Sequence, residues 1–218
     1  YISALMLIAP ILEEGLVIEL DGEITSRPYI EMTLSILHDI GIDAKFTDNS
    51  IEINSKNNLM INPVYEIESC WSSVSYFFSI VALSSDIELS FLNYKPDSFQ
   101  GDIKVAKYYE LFGVQSEFKE NKLIIMKKNN FNYPEKITID LKDNPDLAQT
   151  IIVTSFGLDI PTKLTGLSTL KIKETDRLEA MFTELIALGA DCRVDNESIE
   201  IFKSKNKVNK IHVIKTYN

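Results

Sequence analysis

Apolar residues along the chain follow two alternating rhythms. Three stretches carry them at helical spacing: Ile30, Leu34 and Leu37; Val105, Tyr108 and Leu111; Leu178, Met181, Leu185 and Leu188. Each stretch runs into a glycine, Gly41, Gly113 or Gly189, after which apolar positions alternate along two short runs. Aligned from the glycines, the three segments superpose without gaps. Phe46, Phe118 and Val194 then correspond, as do Ile51, Leu123 and Ile199, and Ile53, Ile125 and Ile201. The glycines read as helix C-caps, where a residue without Cβ accepts the left-handed conformation cheaply. The runs after them, joined by Asp48-Asn49-Ser50, Glu120-Asn121-Lys122 and Asp195-Asn196-Glu197-Ser198, read as hairpins.

Upstream of each amphipathic helix the pattern predicts a strand, at Leu16 to Leu20, Ile87 to Phe91 and Thr162 to Thr165. Before that comes a more fully apolar inner helix, at Tyr1 to Ile11, Ser72 to Leu83 and Asp146 to Phe156, which this composition predicts to be buried. A further strand is expected at Asn58 to Asn62 and at Lys136 to Leu141, opening the second and third repeats. The repeating unit is therefore βαβαββ, and the fold class is α/β, in the α+β sense. The chain opens on an inner helix and closes, at Lys210 to Lys215, on an opening strand, so the expectation is the middle of a longer protein, truncated at both ends.

Composition narrows the function classes. Among 218 residues, 22 Lys and Arg stand against 32 Asp and Glu, a net charge of −10. That balance disfavours nucleic acid or an anionic membrane as the main partner, while leaving room for a small anion in a local basic pocket. The longest apolar run, Ala4 to Leu12, is interrupted by Pro10 and too short to span a bilayer. Cys70 and Cys192 are isolated from one another, as are His38 and His212, so no metal-ligand spacing is readable. A reducing, cytoplasmic compartment is expected, and no targeting peptide is visible.

Candidate chemistry sits at helix starts. Lys171-Ile172-Lys173-Glu174-Thr175-Asp176-Arg177 spans a loop and the first turn of a helix, where free N–H groups and the dipole would reinforce Lys173 and Arg177 as an anion site. Glu174 is placed to move a proton. The alternative is a Thr175 cap with solvated ion pairs. The equivalent place in the first repeat, Thr25-Ser26-Arg27-Pro28-Tyr29, offers a hydroxyl and a guanidinium for a phosphate, or a Ser26 cap followed by a first-turn proline. The second repeat has Asp97-Ser98-Phe99-Gln100-Gly101-Asp102 there and lacks the basic element. Asp143-Asn144-Pro145-Asp146-Leu147-Ala148-Gln149 starts an inner helix. It reads either as an Asn144 cap with Pro145 in the first turn, or as Asp146 acting as a general base beside Lys173. Cys70-Trp71-Ser72-Ser73 reads as a capping serine and a core-edge tryptophan, or as an interaction surface.

Together these residues resemble the 5-enolpyruvylshikimate-3-phosphate synthase family. Lys173-Glu174-Thr175-Asp176-Arg177-Leu178, followed by Glu184-Leu185 and Leu188-Gly189-Ala190, is similar to its signature segment. Ser26-Arg27-Pro28-Tyr29-Ile30 resembles a substrate-binding segment, Pro145-Asp146 an aspartate site, and Tyr1-Ile2-Ser3-Ala4-Leu5 the helix after a Ser-Ser-Gln motif. The resemblance covers the chain from end to end. It implies repeated βαβαββ units of the enolpyruvyl transferase type in two lobes, with residues 1–68 in one and 69–218 in the other, their sites facing a shared crevice.

The activity so implied is a shikimate-pathway transfer of the enolpyruvyl group of phosphoenolpyruvate to the 5-hydroxyl of shikimate 3-phosphate, through a tetrahedral adduct that expels phosphate. Those two small molecules are the implied partners, with no metal or organic cofactor. Asp146 matches the general base, Glu174 a proton-transfer residue, and Lys173 a residue at the reacting hydroxyl. Arg177 matches a phosphoenolpyruvate ligand, while Ser26, Arg27 and Tyr29 lie in the shikimate-phosphate segment. Thr169 stands where some relatives carry a substrate-binding asparagine, and Cys70 where many carry an acidic residue. Basic segments and a Ser-Ser-Gln expected on the flanks are absent from the 218 residues, so little turnover is expected of this polypeptide alone. The competing readings are a UDP-N-acetylglucosamine enolpyruvyl transferase, which shares the fold, and a noncatalytic ligand-binding relative.

Overall fold

The three glycine-anchored segments fold alike. In the computed structural model, which describes residues 1–56, 66–204 and 213–214, the glycines have φ of 78°, 73° and 90° at Gly41, Gly113 and Gly189. Two of the three ends are closed in the Schellman manner: Ile42 N–H donates to Leu37 O at 2.9 Å and Ala190 N–H to Leu185 O at 2.9 Å. The opening strand expected at Asn58–Asn62 lies outside the described residues, as does all of the one at Lys210–Lys215 except Val213 and Ile214.

Two units divide the chain, Tyr1–Glu68 with Asp97–Gly101, and Ser69–Pro96 with Asp102–Asn218. The first holds α1 (Ile2–Ile8), β1 (Leu16–Glu19), α2 (Arg27–Asp39), β2 (Ala44–Thr47) and β3 (Ser50–Ile53), with sheet order β1-β3-β2. The second holds α3 (Trp71–Leu83), β4 (Glu88–Leu92), α4 (Val105–Tyr109), β5 (Val114–Lys119) and β6 (Lys122–Lys127), with order β4-β6-β5. It continues with β7 (Ile137–Asp140), α5 (Ala148–Leu158), β8 (Thr162–Thr165), α6 (Arg177–Ala187), β9 (Cys192–Val194) and β10 (Ile199–Ile201), with order β7-β8-β10-β9.

Register is conserved among the repeats. The residues aligned from the glycines pair as Phe46 with Ile51, Phe118 with Leu123 and Val194 with Ile199. The strand preceding the outer helix joins at the same rung: Ile18 opposes Ile51, Phe91 opposes Leu123 and Leu164 opposes Ile199. The central residues Ile51, Ile53, Leu123, Ile125, Ile199 and Ile201 are all buried. A one-residue slip would turn those side chains to the opposite face, which is why alternation fixes the pairing. β7 pairs in parallel with β8 across α5, supplying the opening strand that the pattern predicts at Lys136 to Leu141.

The inner helices differ in burial. α5 packs against α3 in the core of the second unit, burying Ala148, Ile151 and Ile152. α3 buries Trp71, Val74, Phe78 and Val81 but exposes Phe77, Ile80 and Leu83. α1 departs furthest from the expected burial: only Met6 is buried within it, and Leu7 is 55% exposed. Among the described residues of its unit, α1 packs against α2, and Met6 joins a core with Ile30, Leu37, Ile51 and Ile53, so one face of the helix is buried. Prolines shape two of these helices, with Pro10 in a 3-10 turn after α1 and Pro145 in one that precedes α5.

Candidate functional site

Three helix starts of the second unit surround a pocket of about 470 Å³. Ser72, Ser73 and Tyr76 come from α3, Asp146 and Gln149 from the 3-10 turn before α5 and its first turn, Glu174 from the segment before α6, and Arg177 and Met181 from α6 itself. A buried polar link ties two of these starts together. Asp102, 1% exposed, accepts from Ser72 Oγ at 2.5 Å and from Asn144 Nδ2 at 3.3 Å. Asn144 also accepts from the Tyr108 hydroxyl at 3.4 Å. Asn144 therefore occupies the cap position without capping through its side chain, because its fully buried amide is engaged by Asp102 and Tyr108. Likewise Cys70, and not a serine, precedes α3, and Trp71 lies within the core, edge-on to Tyr94 with ring centroids 5.2 Å apart.

The charged residues form one cluster. Asp146 Oδ1 lies 3.3 Å from Lys173 Nζ and 3.0 Å from Arg177 NH1. Arg177 also donates from Nε to Glu174 Oε1 at 2.8 Å and from NH2 to Glu174 Oε2 at 2.9 Å, the paired geometry in which a guanidinium holds a carboxylate most firmly. Asp176, and not Thr175, caps α6, accepting from Glu179 N–H at 3.0 Å. The cap leaves Glu174 outside the helix, where its side chain folds back over Arg177. Two cations and two carboxylates thus cancel within the cluster.

The hydrogen bond from Arg177 holds the Glu174 carboxyl below the usual range, helped by the backbone N–H of Glu174 itself; burial opposes them, and the charges of Arg177 and Lys173 add the rest. The same bond raises the Arg177 guanidinium, against burial and with help from Asp146 and Glu174. At Cys70 burial pushes the thiol up, but hydrogen bonds from the side chains and backbones of Ser73 and Ser72 together outweigh it and the net shift is downward.

Asp146, Lys173, Glu174 and Arg177 are therefore brought together, as the sequence leads one to expect. Thr169 stands apart from these contacts, in the 3-10 turn Ser168–Ile172, with a buried Oγ1 that has no hydrogen-bond partner among the described residues. Gln149, missed by sequence reasoning, is half-buried in the pocket wall; its only sequence signal is the three-residue spacing from Asp146. Ser26, Arg27 and Tyr29 belong to the first unit, at the start of α2. Ser26 has φ 55° and ψ 34°, a left-handed conformation that disfavours a side chain, and its hydroxyl makes no cap hydrogen bond. Arg27 turns onto its own surroundings, with Nε 2.8 Å from Glu31 Oε1 and the guanidinium 4.1 Å from the Phe46 ring centroid.

Among the described residues no group of three His, Cys, Asp or Glu side chains is placed to hold a metal ion, and no helix is long and apolar enough to cross a membrane.

Comparison with known proteins gives this arrangement a family. The chain is 39% identical over its whole length to a 3-phosphoshikimate 1-carboxyvinyltransferase of Bacteroides fragilis, covering 52% of that protein. A protein of the same name from Colwellia psychrerythraea is 32% identical, again over the whole chain and covering 50% of the relative. The chain thus spans about half the length of the curated relatives it matches. Among solved structures, EPSP synthase from Acinetobacter baumannii superposes with a TM-score of 0.62 at 20% identity, over 96% of this chain and 47% of that one. The enolpyruvyl transferase NikO from Streptomyces tendae superposes at 0.60 and 13% identity, over 90% and 44%. These two show a shared fold. The model of the EPSP synthase (3-phosphoshikimate 1-carboxyvinyltransferase) family matches residues 1–218, and the chain belongs to that family.

Proposed function

We propose that the cluster of Asp146, Lys173, Glu174 and Arg177 is part of the site at which an enolpyruvyl group passes from phosphoenolpyruvate to the 5-hydroxyl of shikimate 3-phosphate, in the cytoplasm. The observation that carries this reading is the ion-paired cluster, in which Asp146 lies 3.3 Å from Lys173 and 3.0 Å from Arg177. Addition of the hydroxyl to the enol requires one group to take the hydroxyl proton, a second to protonate the methylene carbon, and cations to hold the carboxylate and phosphates. Asp146 is assigned the first role and Glu174 the second. Arg177 holds phosphoenolpyruvate and Lys173 lies at the reacting hydroxyl. Ser26 and Tyr29 are assigned to shikimate 3-phosphate. Arg27, occupied by Glu31 and Phe46, is the weaker candidate for that role. The buried, unpaired hydroxyl of Thr169 is a further candidate contact.

Glu174 occupies the Nε and NH2 face of Arg177, the face that a ligand carboxylate would take. An incoming anion has to displace it. Once displaced, Glu174 loses the hydrogen bond that holds its pKa down, and more of it carries a proton that it can give. The chain spans about half the length of its curated relatives, and little or no turnover is expected of this polypeptide by itself.

Calorimetric titration of the 218-residue chain with phosphoenolpyruvate and with shikimate 3-phosphate tests the assignment. Lys173→Ala should weaken shikimate 3-phosphate about tenfold or more, as loss of a charged hydrogen-bond donor does. Unchanged affinity in that variant removes Lys173 from the site.

A further inference from the structure

Arg177 is held from two sides. Glu174 grips Nε and NH2 from the same segment, three residues away, and its side chain is 50% exposed. On the NH1 side stand residues from the start of α5: Asp146 at 3.0 Å and Gln149. With the Gln149 amide oriented so that both of its ends are paired, its oxygen accepts from Arg177 NH1 at 3.3 Å and its nitrogen donates to the Asp146 main-chain carbonyl at 2.9 Å. Gln149 therefore bridges the residue assigned as proton acceptor and the guanidinium assigned to the anionic substrate.

The three partners of Arg177 differ in kind. Glu174 must leave when an anion takes its face, and Asp146 changes charge whenever it takes up a proton. Gln149 is neutral and its hydrogen bond depends on neither event. A neutral acceptor restrains the guanidinium without cancelling any of its charge, so it takes nothing from the attraction for an anion. Side-chain freedom removed in advance need not be lost on binding, which favours affinity.

We propose that Gln149 is a positioning residue for Arg177, holding the guanidinium in register with Asp146 while Glu174 exchanges places with the ligand. The inference rests on the anion-site reading above. It deepens that reading by assigning to a half-buried amide a role that the charged residues cannot fill.

Three forms of the 218-residue chain test it: wild type, Gln149→Met, which keeps the length and packing but loses both hydrogen bonds, and Gln149→Glu, which keeps the acceptor for Arg177, loses the donor to the Asp146 carbonyl and adds a charge. Nitrogen-edited NMR reads rotation of the Arg177 guanidinium about its Cζ–Nε bond, and calorimetry reads phosphoenolpyruvate binding. Gln149→Met should leave the thermal midpoint in place, speed the rotation and weaken phosphoenolpyruvate about threefold to tenfold, the range expected for one lost hydrogen bond. Gln149→Glu should keep the rotation slow yet still weaken phosphoenolpyruvate, because its charge competes with the ligand. Rotation in Gln149→Met as slow as in wild type, or in Gln149→Glu as fast as in Gln149→Met, overturns the proposal whatever the titration gives. Wild type that fails to bind phosphoenolpyruvate defeats the anion-site reading instead, and the rotation comparison still decides the role of Gln149.

Discussion

The starts of α2 and α6 occupy equivalent places in the repeat and each places an arginine at the first helical position, yet the two arginines do different things. Arg27 turns to Glu31 on its own helix and stacks on Phe46. Arg177 reaches another element and joins Asp146, Lys173 and Glu174. The caps differ in the same sense. Asp176 satisfies an N–H of α6, whereas Ser26 sits in a left-handed conformation with its hydroxyl uncommitted to the helix. A repeated scaffold has thus been fitted at one start with a cross-element charge cluster and at the other with a serine held in the left-handed backbone region. Strain of that kind, where the surrounding structure maintains it, is a reason to look for function.

The largest effects should fall on what the two regions share. Ile51→Ala and Ile199→Ala remove the same rung of the hairpin after each helix, and each should cost about 2–5 kcal/mol, within the range for a fully buried aliphatic side chain. Native-state hydrogen exchange in the affected sheet checks this. A large cost in one and little in the other would mean that the repeats are not energetically equivalent.

Smaller effects of opposite sign should separate the starts. Asp176→Ala should destabilise α6 by about 1 kcal/mol through loss of the cap. Ser26→Gly should stabilise the start of α2 by about 0.5–1 kcal/mol, because glycine adopts the left-handed region without the steric cost. Exchange rates of the first-turn amides of each helix report both. Destabilisation by Ser26→Gly would show that the serine is not strained there.

The hairpins and their register were legible in the sequence because two periodicities and three glycines specify them locally. The charged cluster was legible for a related reason: Lys173, Glu174 and Arg177 are near neighbours in sequence at a helix start, and Asp146 starts another helix of the same repeat. What escaped depends on tertiary contacts that no local pattern encodes. Asn144 looks like a cap by residue type, but Asp102 and Tyr108 claim its amide. Thr175 looks like one too, but Asp176 makes the hydrogen bond. The exposure of α1 is equally invisible, since an all-apolar helix reads as buried whether or not its unit supplies a second layer to cover it.

The weakest effect concerns Glu174. Its folded pKa is depressed, so the contribution of its pair with Arg177 is present above the ordinary carboxylate value and lost as pH falls through the folded value. Glu174→Gln removes the resident anion and should tighten phosphoenolpyruvate about twofold to fivefold, the scale of an exposed ion pair. An NMR titration of the Glu174 carboxyl should show its pKa rising toward the ordinary value when phosphoenolpyruvate is bound. Weaker binding by Glu174→Gln would mean that Glu174 holds the ligand and does not compete with it.

On the reading proposed above, the arginine at the start of α6 receives an anion while its counterpart at the start of α2 serves its own helix. Calorimetric titration of phosphoenolpyruvate into wild type, Arg177→Ala and Arg27→Ala tests it most directly. Arg177→Ala should lose about a hundredfold in affinity, in keeping with the loss of hydrogen bonds from a charged donor, while Arg27→Ala stays within about twofold of wild type. Equal losses in the two variants, or a loss confined to Arg27→Ala, would contradict the account.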